Sequence, residues 1–460
     1  MKKAELIFIP FTGISHLGPI LEFASRLMAR DDRILITVLL MKVIPFGSSM
    51  TESVIASHPR IRFIDIPQLD LPPVQLLATS VERYLSVFTE KNTPHIKNIV
   101  RDIVSSSSSS SSSSVTGLVV DWTFLSMIDV ASELNLPGYT FSSFSAGFLS
   151  LLRYLSTRED DDIDKFRSSD SDLIVPGFIN PVPVSVLLPG LSNNYGYAAL
   201  VKQAQRLMVM DVKGMIINTF SELEQYSVNS FSGGRNPSVY TVGPLLYLNG
   251  QPNSDLDKGE RQKILKWLDN QPESSVVFLC FGTAGSFSPA QVREIATGLE
   301  QSEFRFLWSL RASPHDLPEG FMERIEGRGI ICGWAPQVEV LTHKAIGGFV
   351  SHCGWNSILE SLWCGVPIVT WPLYAEQHFN AFTLVKELGL SVEMGLDSSR
   401  KDDGDHIVVA DEIATAIRRV MESDSEIRKK VKEMSEIARK SMLQGGSSFN
   451  SMGKFINLNF

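Results

Sequence analysis

At 460 residues the chain exceeds one ordinary hydrophobic core, and two domains of roughly 200 residues are expected. A hydrophobic share of 43% with 20% charged residues is that of a globular protein, and 51 acidic against 42 basic residues give a net charge of −9, which argues against nucleic acid or an anionic membrane as the main partner. No run of about 20 apolar residues offers a membrane span.

The N-terminus passes directly into a strand pattern, Leu6-Ile7-Phe8-Ile9, flanked by Glu5 and Pro10, which is not a cleavable-signal layout. Strands are expected at Glu5 to Ile9, Ile34 to Leu40, Ile61 to Ile64, Gly117 to Val120 and Gly138 to Phe141, with helices such as Leu17 to Ala29 and Phe124 to Glu133 between them. This alternation predicts a parallel, doubly wound sheet. The serine run Ser105 to Ser114 has nothing apolar to bury and reads as a disordered surface loop. Turn formers from Gly243-Pro244 to Asp255 read as an interdomain linker. A second alternation follows, with strands at Val276 to Phe281, Phe304 to Trp308 and Ile346 to Val350. The expected division is 1–245, a linker over 246–262, a second domain over 263–440, and a closing segment over 441–460. The fold class is therefore α/β, with two doubly wound, Rossmann-like domains facing a cleft.

Cys280, Cys332, Cys353 and Cys364 show no CxxC pairing, and their usage is that of a reduced, cytoplasmic protein. No His, Asp and Glu cluster has metal-ligand spacing, so no metal is expected.

Two regions carry chemistry. His16 follows the first strand, and Asp121 ends the fourth. If the strand order is 3-2-1-4-5, both sit on one rim, where Asp121 can orient and charge-stabilise the imidazole as a general base. The other region is Trp334 to Gln377, in which Ser351-His352-Cys353-Gly354-Trp355-Asn356-Ser357 joins a strand to a helix. Such a turn leaves backbone N–H groups free for phosphate. Glu360 lies one helical turn after Asn356.

The stretch WAPQVEVLTHKAIGGFVSHCGWNSILESLWCGVPIVTWPLYAEQ resembles, without gaps, the C-terminal signature of plant family 1 glycosyltransferases, which transfer sugar from a UDP donor. Whole-chain similarity is greatest to the flavonoid and triterpenoid glucosyltransferase branch, including Ile330-Cys332-Gly333 and Gly445-Gly446-Ser447-Ser448. The resemblance implies a GT-B arrangement in which the last helix crosses back onto the N-terminal domain. It implies that Trp334 stacks the uracil, Ala335 contacts its edge, Gln337 and Glu360 hold ribose hydroxyls, and His352, Asn356 and Ser357 face the phosphates. Trp355, Glu376 and Gln377 are then the sugar readers, and Gln377 matches the glucose-preferring members. Thr283, in the Gly-rich turn Phe281 to Phe287, stands where the family usually has Ser. His16 and Asp121 match the family's dyad, although Ser15 replaces the usual preceding Gly. UDP-glucose is on this reading a co-substrate and no cofactor is needed; the enzyme is a monomer giving a β-glucoside.

Phe11, Trp122, Phe124, Phe141, Phe144, Phe148, Leu188 and His378 are expected to wall an apolar acceptor pocket for a flavonoid, other phenolic or triterpenoid. Three rival classes differ in what they need. A nicotinamide oxidoreductase needs GxGxxG after the first strand, and it is absent. A silent UDP-sugar sensor has no need of His16 and Asp121. A nucleotide-sugar epimerase has no need of an apolar acceptor pocket.

Overall fold

A computed structural model describes residues 3–459 apart from 42, 44–48, 67–69, 110–112, 158–171, 188–196, 209, 233–236, 248–257, 312 and 396–406. Two parallel sheets organise the chain. The first contains β1 (Lys3–Ile9), β2 (Ile34–Leu40), β3 (Arg62–Asp65), β4 (Ser113–Asp121), β5 (Gly138–Ser142), β6 (Gly214–Ile217) and β7 (Ser238–Thr241), in the order β3-β2-β1-β4-β5-β6-β7. The second contains β8 (Val276–Cys280), β9 (Arg305–Ser309), β10 (Gly329–Cys332), β11 (Ile346–Ser351), β12 (Ile368–Thr370) and β13 (Ser391–Val392), in the order β10-β9-β8-β11-β12-β13. In both, the strand order reverses beside the first strand of the sheet, which opens a crevice at the strands' carboxyl ends. The central strands are apolar on both faces because helices cover both: Leu6, Ile7, Phe8 and Ile9 are all fully buried.

Five strands, β6, β7, β10, β12 and β13, lie outside the set read from the sequence. Each spans four residues or fewer, too short for a period-2 signal, and is held by its neighbours in the sheet. The expected helix Phe124 to Glu133 is instead a 3-10 turn, Trp122–Ile128, followed by a short α-helix, Asp129–Glu133. The Asp121 carboxylate caps that turn by accepting from the Thr123 backbone N–H at 2.8 Å.

The serine run is a second correction. Ser105 to Ser109 complete the long helix Val81–Ser109, and Ser113 and Ser114 open β4. Ser105 and Ser106 donate to the carbonyls of Arg101 and Asp102, one turn back, at 2.9 and 2.7 Å. The β4 serines pair with Lys3 and Ala4 of β1. Local hydroxyl bonding and a sheet partner thus replace the missing apolar anchor. Most of the expected linker, 248–257, lies outside the described residues.

The two sheets meet through one continuous buried cluster, in which Phe379 packs against Phe148 and Phe178 with ring centroids 5.9 and 5.2 Å apart. The final helix, Ser447–Asn459, lies on the first sheet. Its Phe455 ring stands 5.7 Å from Phe23, 5.1 Å from Tyr139 and 5.3 Å from Tyr240. Among the described residues no helix is long and apolar enough to cross a membrane.

Candidate active site

Because β1 and β4 are neighbours in register, Ile9 opposite Val120, the chain leaving β1 and the residue ending β4 emerge at one rim. The helix Ile14–Arg30 starts three residues earlier than the sequence pattern suggests, which puts His16 in its first turn. His16 Nδ1 lies 3.2 and 3.1 Å from the two carboxylate oxygens of fully buried Asp121. A carboxylate only accepts, so Nδ1 carries a proton, and in the neutral ring Nε2 keeps its lone pair. The imidazole side chain is 15% exposed and is held edge-on between the rings of Phe11 and Phe144, at 5.2 and 5.9 Å. Burial alone lowers its pKa, but the Asp121 charge, its hydrogen bond and the Glu376 charge together hold it above the ordinary 6.5.

The opposite wall is built from the loops after β8, β10, β11 and β12. A cavity of about 260 Å³ is bordered by Thr283, Trp334, Ala335, Gln337, His352, Trp355, Asn356, Ser357, Glu360, Glu376 and Gln377, which is the whole expected donor set, and by His16. At its base the helix Trp355–Cys364 begins at Gly354 without a side-chain cap, leaving its first N–H groups available to an anion. His352 stands between two glycines: a Cβ at Gly282 or at Gly354 would come within 2.6 Å of its Nε2. Burial, reinforced by the Arg311 charge and opposed by a Cys280 backbone hydrogen bond, brings the His352 pKa down to about 4. The imidazole is therefore neutral near pH 7 and can offer an N–H but no charge. Cys353 beside it has φ of 63°, and Ala375 has φ of 51°, left-handed conformations that cost side-chain-bearing residues energy and cluster at functional sites.

Gln337 Nε2 donates to Ser357 Oγ at 2.8 Å and to Glu360 Oε2 at 2.7 Å. Burial raises the Glu360 carboxyl to about 7, with the Gln337 bond opposing. Gln377 Oε1 accepts the Leu373 and Tyr374 backbone N–H groups at 2.9 and 3.1 Å, which fixes the amide so that its nitrogen is left to donate. Two expected ligand readers also bridge the domains. Trp355 Nε1 donates to the Asn218 carbonyl at 2.8 Å, so its N–H is not free for a sugar. Asn356 Nδ2 donates to the Ser15 carbonyl at 2.6 Å. The helical partner of that carbonyl would be the N–H of residue 19, and residue 19 is proline. Asn356 supplies across the cleft the donor that Pro19 lacks.

A second cavity, of about 440 Å³, lies on the other side of His16. The two share His16, Phe144, Ala375 and Glu376 as their common wall. Of the expected acceptor wall, Phe11 and Phe144 line this second cavity. Trp122, Phe124, Phe141, Phe148 and His378 do not: all are at most 2% exposed and belong to the packing behind it. Phe124 backs Phe11 at 5.7 Å, Phe148 backs Phe144 at 5.4 Å, and Phe141 packs on Phe23 at 5.9 Å. Leu188 lies outside the described residues. The wall is supplied instead by helix faces that the sequence reading passed over, including Val81, Leu85, Thr89, Leu125 and Leu200. Arg311 was also passed over. Two residues beyond β9, it donates to the carbonyls of Gly282 at 2.6 Å, Gly285 at 3.0 Å and Thr283, clamping the Gly-rich turn. Its place just past a strand's carboxyl end was the available signal. Among the described residues no group of three His, Cys, Asp or Glu is disposed to hold a metal ion.

Two Rossmann-like α/β domains facing a cleft define a GT-B fold, and known proteins agree. Residues 243–441 match the family model of UDP-glucoronosyl and UDP-glucosyl transferases. The chain is 50% identical over 466 residues to UDP-glycosyltransferase 71D1 of Arabidopsis thaliana, covering 99% of this chain and 98% of that one. It is 48% identical over 472 residues to flavonol 3-O-glucosyltransferase UGT71C4 of the same plant, covering 99% and 98%. The crystal structure of Medicago truncatula UGT71G1 complexed with UDP-glucose superposes with a TM-score of 0.89 at 48% identity, covering 99% of this chain and 98% of that one. The chain belongs to the plant family 1 UDP-glycosyltransferases and is a glycosyltransferase enzyme.

Proposed function

We propose that the enzyme transfers glucose from UDP-glucose to a hydroxyl of a small, largely apolar plant metabolite, a flavonoid, other phenolic or triterpenoid, with inversion to the β-glucoside. The observation that carries this reading is His16, whose Nδ1 is held by Asp121 and whose ring borders both cavities. The similar UGT71G1 complexed with UDP-glucose supports the donor, and the similar flavonol 3-O-glucosyltransferase supports the acceptor class.

In this mechanism Trp334 stacks the uracil and Ala335 meets its edge, while Gln337 and Glu360 hold the ribose. His352, Asn356, Ser357, Thr283 and the uncapped helix end take the diphosphate, and Trp355, Glu376 and Gln377 border the sugar. The acceptor oxygen attacks the anomeric carbon as its proton passes to His16 Nε2. The carbon–oxygen bond to UDP breaks, and UDP leaves with the electron pair, its charge met by the helix N-terminus and neutral donors without a metal. Asp121 stabilises the imidazolium that forms. Residues 1–245 then form the acceptor domain, 246–262 the linker, 263–440 the donor domain and 441–460 a segment returning to the acceptor side. The enzyme acts as a cytoplasmic monomer.

The test is a screen of UDP-glucose, UDP-galactose and UDP-glucuronate against mixed phenolic and triterpenoid acceptors, read by product mass and anomeric coupling. A β-glucoside formed preferentially from UDP-glucose is expected. Absence of any glycoside despite UDP binding would favour a silent sugar-binding protein instead.

A further inference from the structure

The second cavity is apolar on the side of Leu85 and Leu125, but the helix Tyr197–Leu207 brings polar groups to it: Lys202, Gln203 and Arg206. Lys202 and Arg206 are four residues apart and share a helix face. Arg206 is paired with Asp129 at 3.0 Å, whereas Lys202 has no ion-pair partner among the described residues. Gln203 Nε2 donates to the Thr123 carbonyl at 3.4 Å, which orients the amide and leaves its buried Oε1 without a hydrogen-bond partner. None of these three borders the donor cavity. Among the described lining residues the one carboxylate is Glu376, and it stands in the wall shared with His16. Charge is therefore segregated: a carboxylate beside the base, and a cation with an unpaired acceptor on the helix away from the donor junction.

Resting on the acceptor reading above, we infer that this cavity takes an aglycone with an anionic end, a carboxylate flanked by a hydroxyl, remote from the hydroxyl that is glucosylated. Lys202 meets the carboxylate, and Gln203 Oε1 accepts from the flanking hydroxyl. The same segregation sets the orientation. A carboxylate turned toward the donor junction meets Glu376, and like charges repel; turned toward Lys202 it presents the opposite hydroxyl to His16.

The probe is 2,4-dihydroxybenzoate, whose 4-hydroxyl is para to the carboxylate while the 2-hydroxyl flanks it, compared with its methyl ester. With the wild-type enzyme the acid is expected to exceed the ester by about fivefold in kcat/KM, the worth of one partly exposed ion pair. The advantage falls as salt is raised. Lys202→Ala abolishes it, so that acid and ester then have equal kcat/KM, and Lys202→Arg retains it. The product is identified as a phenolic glucoside by its stability to alkali. An ester as good as the acid, or an advantage that survives Lys202→Ala, overturns the inference. If neutral phenols are glucosylated and neither probe is, the inference falls and the acceptor reading stands. If no phenol of any kind is glucosylated, the acceptor reading falls and takes the inference with it.

Discussion

The two walls of the cleft are made differently. The wall proposed for the donor comes almost wholly from Trp334 to Gln377, in the loops and first helical turns that follow successive strands of one sheet, so its side chains are near in sequence as well as in space. The wall proposed for the acceptor is assembled from the loop after β1, the long helix Val81–Ser109, the turn after β4 and the helix Tyr197–Leu207. Loops at strand ends fix a diphosphate with backbone groups and short turns. Helix faces offer area, and one side chain there changes the cavity without disturbing a turn. On the proposed roles, the contrast ties donor binding to backbone geometry and acceptor choice to side chains. His16, Phe144, Ala375 and Glu376, which border both cavities, join the two.

Substitutions should separate the walls accordingly. The largest effect is expected from His16→Ala. Turnover should drop by about 10²- to 10⁴-fold, the usual worth of a positioned base, with UDP affinity by calorimetry unchanged. Retained turnover would remove His16 from the chemistry. Trp334→Ala should act on the donor wall alone, weakening UDP by about 1–3 kcal/mol, as loss of base stacking does, and leaving acceptor discrimination intact. A change in acceptor preference would break the separation.

Asp121→Asn tests the shared wall through pH. As the proposed base His16 acts when neutral, so kcat/KM is expected to fall as pH drops through its pKa. The Asp121 charge raises that pKa, and its removal should shift the acid limb to lower pH while reducing the plateau. The stability sign follows. A folded-state pKa above the ordinary 6.5 makes the charged pair stabilising below that pH, and the contribution fades as pH rises through the folded value. Asp121→Asn should therefore lower Tm more at about pH 5 than at about pH 9. An acid limb that does not move would contradict the coupling.

The smallest effect concerns the link between the walls. Pro19→Ala restores an N–H that competes with Asn356 for the Ser15 carbonyl. It should raise thermal stability while lowering kcat/KM by less than about tenfold, through looser placement of His16. A rise in Tm with unaltered kinetics would make the link purely structural.

Much of this architecture was legible in the sequence, for reasons that differ along the chain. The alternation of β1, β2 and β4 with helices announced the doubly wound sheet, and the 3-2-1-4-5 order predicted the nearness of His16 and Asp121. Every expected donor residue borders one cavity: all but Thr283 belong to a contiguous motif that carries its own spacing, and Thr283 comes from the turn after β8. The acceptor wall was not legible. Trp122, Phe141 and Phe148 have the same local pattern as Phe11 and Phe144, and only the packing of the 3-10 turn and the sheet decides which rings face the cavity. Lys202 and Gln203 look like an ordinary solvated helix face until the helix is set against β4's turn. The serine run misled because hydroxyls bonding back to their own helix leave no apolar trace.

The claim that one histidine serves both cavities as a base is tested most directly by the deficit of His16→Ala across phenols of increasing acidity, with UDP affinity followed in parallel. The deficit should shrink steadily as the phenol ionises unaided, at constant UDP affinity. A deficit independent of phenol acidity would show that His16 shapes the site without taking the proton.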